Sequence, residues 1–163
     1  MEGRSALGRP SRWIWALGPV VLYAAAIVAL SSRTRLPEPG LLEAIMRLFA
    51  KSPFAAWFGF DKIEHFCEYA LLGFLVARAL RVLGLVGRGA LALVMATTLA
   101  GAAFGATDEL HQFFVPGRDS SIFDLLADTL GSATGATAWV LLSAAVRRLY
   151  PAPLGGPAVR EGG

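Results

Sequence analysis

Residues 108–131 read Asp108-Glu-Leu-His-Gln-Phe-Phe-Val-Pro-Gly-Arg-Asp-Ser-Ser-Ile-Phe-Asp-Leu-Leu-Ala-Asp-Thr-Leu-Gly131. This polar stretch lies between two strongly apolar runs, so that its charges fall at the ends of membrane-length segments. Charge in such a position is costly and usually has partners and a purpose. A second cluster, Asp61-Lys-Ile-Glu-His-Phe-Cys-Glu-Tyr69, opens another apolar run. We therefore predict that the two clusters meet on one side of a membrane and form the functional site.

The composition of the chain favours a small membrane protein. Its 163 residues suit one domain, 55 % of them are hydrophobic and only 17 % are charged, and the mean hydropathy is +0.56; these values are typical of a polytopic membrane protein. The net charge of +3 is small and the arginines are scattered, which argues against a nucleic-acid partner. The single cysteine, Cys67, excludes an internal disulfide and a cysteine-rich zinc site.

The hydropathy pattern predicts an all-α fold, a bundle of four transmembrane helices. A signal peptide is the alternative for the first apolar run, but that run is long and no small-residue cleavage site follows it. We expect a basic cytoplasmic tail at 1–12, the transmembrane domain at 13–147 and a disordered tail at 148–163. The predicted spans cover 13–30, 61–86, 90–106 and 121–146.

The connection between the first two spans has its own pattern. Apolar residues with helical spacing at 41–50 predict a short helix lying in the membrane interface. Phe54, Trp57, Phe58 and Phe60 then suggest an aromatic belt at headgroup level. Asp61 with Glu64, and Ser121 with Asp124, have the spacing of capping boxes, which predicts helix starts at both places. Gly101 with Gly105, and Gly131 with Gly135, have the small-xxx-small spacing of close helix contacts.

Basic residues predict the orientation of the protein. Four spans put both termini on one side and both polar loops on the other. Of the fifteen Lys and Arg residues, nine fall on the side of the termini, and the six on the loop side are Arg33, Arg35, Arg47, Lys51, Lys62 and Arg118. The positive-inside rule then places both termini in the cytoplasm and the polar clusters at the outer face of the membrane.

Residues four apart share a helix face, so the clusters form polar stripes. Asp61 with His65, Asp108 with Gln112, and Asp124 with Asp128 define one stripe on each of three helices. Such stripes cannot face lipid cheaply, and we expect them to face each other around a small, acidic, partly wet pocket. The candidate catalytic residues are Asp61, His65, Glu68, Asp108, Glu109, Asp124 and Asp128, and the candidate ligand-binding residues are Lys62, Tyr69, Gln112 and Arg118.

Simpler explanations exist for several of these residues. Asp61, Glu64 and Asp124 are explained as helix caps, and the histidines as hydrogen-bonded packing residues. Glu68 and Asp128 are harder to explain in this way because they lie inside apolar segments. The spacing of the potential ligands matches no established metal motif; a divalent cation, if bound, has His65, His111 and Asp108 as candidate ligands.

In order along the chain, the pieces Asp61-Lys-x-x-His-Phe-x-x-Tyr-x-x-Leu-Gly73, Asp108-Glu-x-x-Gln112, Pro116-Gly-Arg118 and Asp124-x-x-x-Asp-x-x-Gly131 resemble the VanZ-like family of small bacterial membrane proteins. The resemblance covers about residues 13–147. It implies a place in the cell envelope and a context of resistance to the glycopeptide antibiotic teicoplanin. Asp128 departs from the pattern, which usually has Asn at that position.

Three hypotheses follow for the function. In the first, the pocket binds a lipid headgroup, a lipid-linked precursor or a glycopeptide antibiotic, and Lys62 and Arg118 hold phosphate. In the second, the protein is an intramembrane enzyme that acts on such a lipid through a carboxylate base or a metal ion. In the third, the polar stripes only hold four helices together. The lipid bilayer is the expected partner in all three.

Overall fold

The computed structural model describes residues 9–32, 53–87, 89–118 and 120–150. These residues form four α-helices, which we number α1 to α4 in chain order. They span α1 Arg9–Ser31, α2 Pro53–Leu83, α3 Ala90–Phe113 and α4 Ile122–Leu149. The prediction of an all-helical fold is confirmed.

The helices alternate in direction. Ser31 at the end of α1 contacts Asp108 near the end of α3, and Lys62 near the start of α2 contacts Asp124 at the start of α4. We call this end of the bundle the polar end. At the opposite end, Arg12 of α1 donates to the carbonyl oxygen of Val82, at the end of α2. The polar segments of all four helices therefore lie at the same end.

Three of the helices are long and apolar enough to cross a membrane: Ser11–Ser31, Ala90–Phe113 and Ile122–Leu149. α2 has 31 residues, about 46 Å at 1.5 Å per residue, which exceeds a hydrocarbon core of about 30 Å. Every window of 18 residues in α2 nevertheless contains at least three charged residues. α2 is therefore long enough to cross a membrane, but it contains more charged residues than the other three helices.

Glycines bring the helix backbones into close contact. A Cβ added at Gly131 of α4 would collide with the carbonyl oxygen of Phe66 on α2 and lie 3.0 Å from the amide nitrogen of Ala70. A Cβ at Gly105 of α3 would lie 2.7 Å from Oδ2 of Asp128. The predicted glycine pairs on α3 and α4 thus lie at helix contacts, as small residues do in membrane bundles.

Buried apolar residues form two small clusters, while many large apolar side chains are exposed. Ile27, Tyr69 and Leu72 form one cluster, and Ala77, Leu93 and Ala136 form the other. Large apolar residues are exposed along α1, α3 and α4, among them Leu22, Leu91, Met95, Leu130 and Leu141, and Leu71 is exposed on α2. An outer surface of this kind suits contact with lipid rather than water.

Several predicted boundaries are corrected. α2 begins at Pro53, eight residues before the predicted start, so that the backbone of the expected aromatic belt at 54–60 is helical. Asp61 and Glu64 therefore lie inside α2 and cannot form a capping box, which needs the first turn of a helix. α4 continues to Leu149 and includes Arg148, which we had placed in the tail. The interfacial helix at 41–50, the tail at 1–8 and the tail beyond Tyr150 fall outside the described residues.

Candidate functional site

A histidine–carboxylate pair lies at the centre of the polar end. Nδ1 of His65 on α2 is 2.9 Å from Oδ1 of Asp128 on α4, and both residues are buried. Oε1 of Glu109 on α3 is 4.0 Å from the same histidine nitrogen. Three helices thus contribute one side chain each to a single buried contact.

A lysine links α2 to the first turn of α4. Nζ of Lys62 donates to Oδ2 of Asp61 at 2.9 Å and to Oδ1 of Asp124 at 3.0 Å. The side chain of Asp124 is almost fully buried, whereas those of Lys62 and Asp61 are partly exposed. Because its ammonium is held between two carboxylates, Lys62 is less available to an anionic ligand than its sequence position suggested.

A second hydrogen-bonded group lies between α1 and α3. Oδ2 of Asp108 accepts from Oγ of Ser31 and from Nε2 of Gln112, at 3.0 Å each, and all three residues are buried. On the exposed side, Oγ of Ser32 and Nε2 of His111 are 2.9 Å apart. The end of α1 therefore contacts the polar stripe of α3 directly.

Glu109 also positions the start of α4. Its Oε2 accepts from the backbone amide of Ser121 at 2.7 Å. Oγ of Ser121 in turn accepts from the amide of Phe123 at 3.2 Å, as an N-cap side chain does. Asp124, predicted as the second member of this capping box, bonds to Lys62 instead.

The remaining candidates lie around this centre. Nη2 of Arg118, in the α3–α4 turn, donates to the carbonyl oxygen of Leu30 at 3.0 Å. Tyr69 is fully buried and packs its ring against Phe104, with a centroid distance of 5.9 Å. Glu68 is partly buried and interacts electrostatically with Asp108 and Asp128.

We refer to six buried residues at the polar end, together with Lys62, as the polar cluster; the six are His65, Asp108, Glu109, Gln112, Asp124 and Asp128. The cluster carries more negative than positive charge, because it contains four carboxylates but only one lysine and one histidine. Buried carboxylates are costly unless they are paired and hydrogen-bonded. An excess of this size therefore favours a further cation, proton or hydrogen-bond donor in the cluster.

Individual oxygen atoms show where such a group would bind. Oδ1 of Asp108, Oε1 of Glu109 and Oδ2 of Asp128 are buried and have no hydrogen-bond partner among the described residues. Buried acceptors in native proteins are nearly always satisfied, so each of these atoms calls for an explanation. The other carboxylate oxygen of each residue is hydrogen-bonded: that of Asp108 to Gln112, that of Glu109 to the amide of Ser121, and that of Asp128 to His65. These contacts hold the three side chains in place.

The local sequence explains why the cluster forms. The four-residue spacings of Asp61 with His65, Asp108 with Gln112, and Asp124 with Asp128 place each pair on one helix face. Gly105 gives Asp128 the room to lie against the backbone of α3. The structure brings the stripes of α2, α3 and α4 together at one end of the bundle.

The candidate metal ligands are only partly grouped as predicted. Within the described parts of the chain, the histidine and carboxylate atoms that all lie within 4.8 Å of one another belong to His65, Glu109 and Asp124. His111 is exposed and contacts Ser32, and Asp108 is bonded to Ser31 and Gln112. Of the three candidate metal ligands named from the sequence, only His65 belongs to this group.

Two contributors were absent from the sequence prediction. Ser31 and Ser32 end the first helix, and both contact polar residues of α3. The sequence contained a signal for this contact, because in a protein with four spans the end of the first span and the end of the third lie on the same side of the membrane. Small hydroxyl residues after an apolar run carry little weight alone, however, since they are also common as simple helix ends.

Apolar outer surfaces, membrane-length helices and buried acidic residues gathered at one end together define a membrane protein. The chain belongs to the VanZ/LLP1 family, whose model matches residues 14–143. Comparison with curated proteins and with solved structures gave no significant match in either set.

Proposed function

We propose that this protein crosses the bacterial inner membrane four times and binds the polar headgroup of an envelope lipid or lipid-linked precursor in its polar cluster. Both termini lie in the cytoplasm and the cluster lies at the outer face. The observation that carries this proposal is the set of buried, unpartnered carboxylate oxygens of Asp108, Glu109 and Asp128 at the end of membrane-length helices.

A crossing by α2 is supported by its length and by its neighbours. α2 packs most extensively against α4, which is itself apolar enough to span a membrane. The charges near the start of α2 that face the bundle, Lys62 among them, have partners on α4. Arg78 and Arg81 lie near the other end of α2, where long side chains reach the headgroup region. The charge of α2 is therefore compatible with a position inside the bundle.

The chemistry of the cluster favours a headgroup that donates hydrogen bonds. Unpartnered carboxylate oxygens accept from ammonium groups and from sugar or glycerol hydroxyls. Phosphate, in contrast, needs a free cation. Lys62 is held by two carboxylates, so Arg118, whose Nε is buried and without a partner among the described residues, is the better candidate for that role.

Lipid retention tests the proposal. The purified protein is reconstituted with phosphatidylethanolamine or phosphatidylglycerol, whose headgroups donate hydrogen bonds, or with phosphatidylcholine, whose headgroup does not, and retained lipid is measured by native mass spectrometry. We expect retention of a donor headgroup and loss of retention in Asp108→Asn and Asp128→Asn, each of which alters a carboxylate with an unpartnered oxygen. Glu64→Gln is the control, because Glu64 is exposed on α2.

Two outcomes would oppose headgroup binding. Equal retention of all three lipids would show that the headgroup is not recognised. Variants that retain lipid normally but unfold more easily would support the purely structural hypothesis. Bacterial growth at graded teicoplanin concentrations, with wild type and Asp108→Asn expressed at matched levels, tests the antibiotic context separately.

A second candidate function is supported by the contact between His65 and Asp128. A histidine whose ring nitrogen is 2.9 Å from a buried carboxylate is oriented as a general base often is. In this alternative the protein is an intramembrane enzyme that modifies an envelope lipid. A change in lipid mass caused by wild type and not by His65→Gln would favour it; unchanged lipid after prolonged incubation with wild type would count against it.

A further inference from the structure

We propose that His65, Glu109 and Asp124 bind a divalent metal ion. The proposal goes beyond headgroup binding and does not depend on it. One nitrogen and two carboxylate oxygens from three different helices lie within 4.8 Å of one another, and all three residues are buried. In a tetrahedral site with bonds of about 2.1 Å, ligand atoms are about 3.4 Å apart. Small side-chain adjustments would therefore suffice to close the site around an ion.

A separate observation points to a cation at this group. Glu109 is 6 % exposed, and its Oε1 has no hydrogen-bond partner among the described residues. The same oxygen points into the group, 4.0 Å from Nδ1 of His65. Oε2 of Glu109 is occupied by the amide of Ser121, which fixes the side chain and leaves Oε1 directed at the potential ion.

The surroundings resemble the outer shell of a metal site. Oδ1 of Asp128 lies 2.9 Å from Nδ1 of His65 and holds the imidazole ring in place, as carboxylates beside metal-binding histidines do. Asp128 is thus a positioning residue for His65. Lys62 contacts Oδ1 of Asp124 and adds positive charge nearby, but the buried carboxylates of Asp108, Glu109, Asp124 and Asp128 outnumber it.

The ligand types indicate the class of metal. An imidazole with two carboxylates suits Mn²⁺, Fe²⁺, Co²⁺ or Zn²⁺ better than Ca²⁺ or Mg²⁺, which favour oxygen ligands alone. Three protein ligands also leave at least one coordination position for water or for a headgroup oxygen.

The test uses the full chain in detergent without added lipid, so that its result is independent of headgroup binding. After treatment with a chelator, the protein is titrated with Mn²⁺, Zn²⁺, Ca²⁺ or Mg²⁺. Bound metal is measured by mass spectrometry, and thermal unfolding is followed in parallel. We expect a single equivalent of Mn²⁺ or Zn²⁺, a higher unfolding temperature with that metal, and a nitrogen coupling in the electron spin-echo spectrum of bound Mn²⁺.

Variants separate ligands from bystanders. Glu109→Gln and Asp124→Asn preserve size and should lose the metal, and Asp128→Asn should weaken it about 10- to 100-fold through His65. His111→Gln and Glu64→Gln, which alter an exposed histidine and an exposed glutamate, should bind as wild type does. The proposal is overturned if wild type binds neither Mn²⁺ nor Zn²⁺, if its unfolding temperature is insensitive to both, or if Glu109→Gln and Asp124→Asn bind them unchanged.

Discussion

The contact between α2 and α4 depends on the absence of a side chain at Gly131, and Gly131→Ala tests it. The added Cβ would collide with the carbonyl oxygen of Phe66 and lie 3.0 Å from the amide nitrogen of Ala70 and 3.2 Å from the carbonyl carbon of Phe66. All three are backbone atoms, which cannot rotate away as the end of a side chain can. α2 and α4 must therefore separate, at an overpacking cost of about 1–3 kcal/mol.

Gly18→Ala supplies the matched control. Gly18 lies in α1, also within a membrane-length helix, and a Cβ there would meet nothing within 4 Å. Alanine gains up to about 1 kcal/mol of helix propensity over glycine in a helix interior. At Gly18 the gain is smaller, because Pro19 follows and disfavours helical geometry in a preceding residue that has a Cβ. The overpacking cost of Gly131→Ala is therefore at least as large as the difference in unfolding free energy between the two variants.

The measurement is unfolding by SDS titration in mixed micelles, followed by circular dichroism. We expect Gly131→Ala to unfold at a lower SDS fraction than Gly18→Ala, by a difference equivalent to about 1–3 kcal/mol. Equal midpoints for Gly131→Ala and Gly18→Ala would refute the close α2–α4 contact.

Three further predictions concern the polar end and use the same unfolding assay. Lys62→Met leaves the buried carboxylate of Asp124 without its cation and should destabilise the protein by about 1–3 kcal/mol; the cost is below that of a fully buried pair because Lys62 is partly exposed. Adding Asp124→Asn should recover part of the lost stability. No recovery would contradict the ion pair. Asp108→Ala leaves the side chains of Ser31 and Gln112 without their acceptor, at a cost of about 1–3 kcal/mol each. It should therefore destabilise the protein more than Ser31→Ala, which removes only one of those donors. The reverse order would contradict these hydrogen bonds. Ser121→Ala removes the N-cap of α4 and should cost about 1 kcal/mol, whereas Ser121→Asp should keep most of that stability; identical behaviour of both variants would exclude capping by this side chain.

Within the described part of the chain, the sequence predicted the number and order of the helices better than their ends. Apolar runs and glycine-rich turns are local signals, and Gly84 and Gly117 have the positive φ angles that such turns require. The start of α2 was misjudged because Asp61 and Glu64 imitate a capping box, while the true start lies eight residues earlier at Pro53. Proline in the first turn of a helix was the signal that could have been used.

The candidate residues could be identified from sequence, but their pairing could not. Charge inside apolar segments marked Glu68 and Asp128 as unusual. Whether His65 would contact Asp128 or Asp108 depends on the rotation of each helix and on how closely its backbone approaches its neighbours. Gly105 sets one such approach, and the consequence of a missing Cβ is visible only when both helices are in place.

The order in which the chain is made has a consequence for the polar end. His65 and Lys62 contact residues that lie 63 and 62 positions later in the chain. During synthesis, α2 is therefore made well before Asp124 and Asp128 exist, and its imidazole and ammonium have these partners only once α4 has followed. The polar end is complete only when α4 packs against α2.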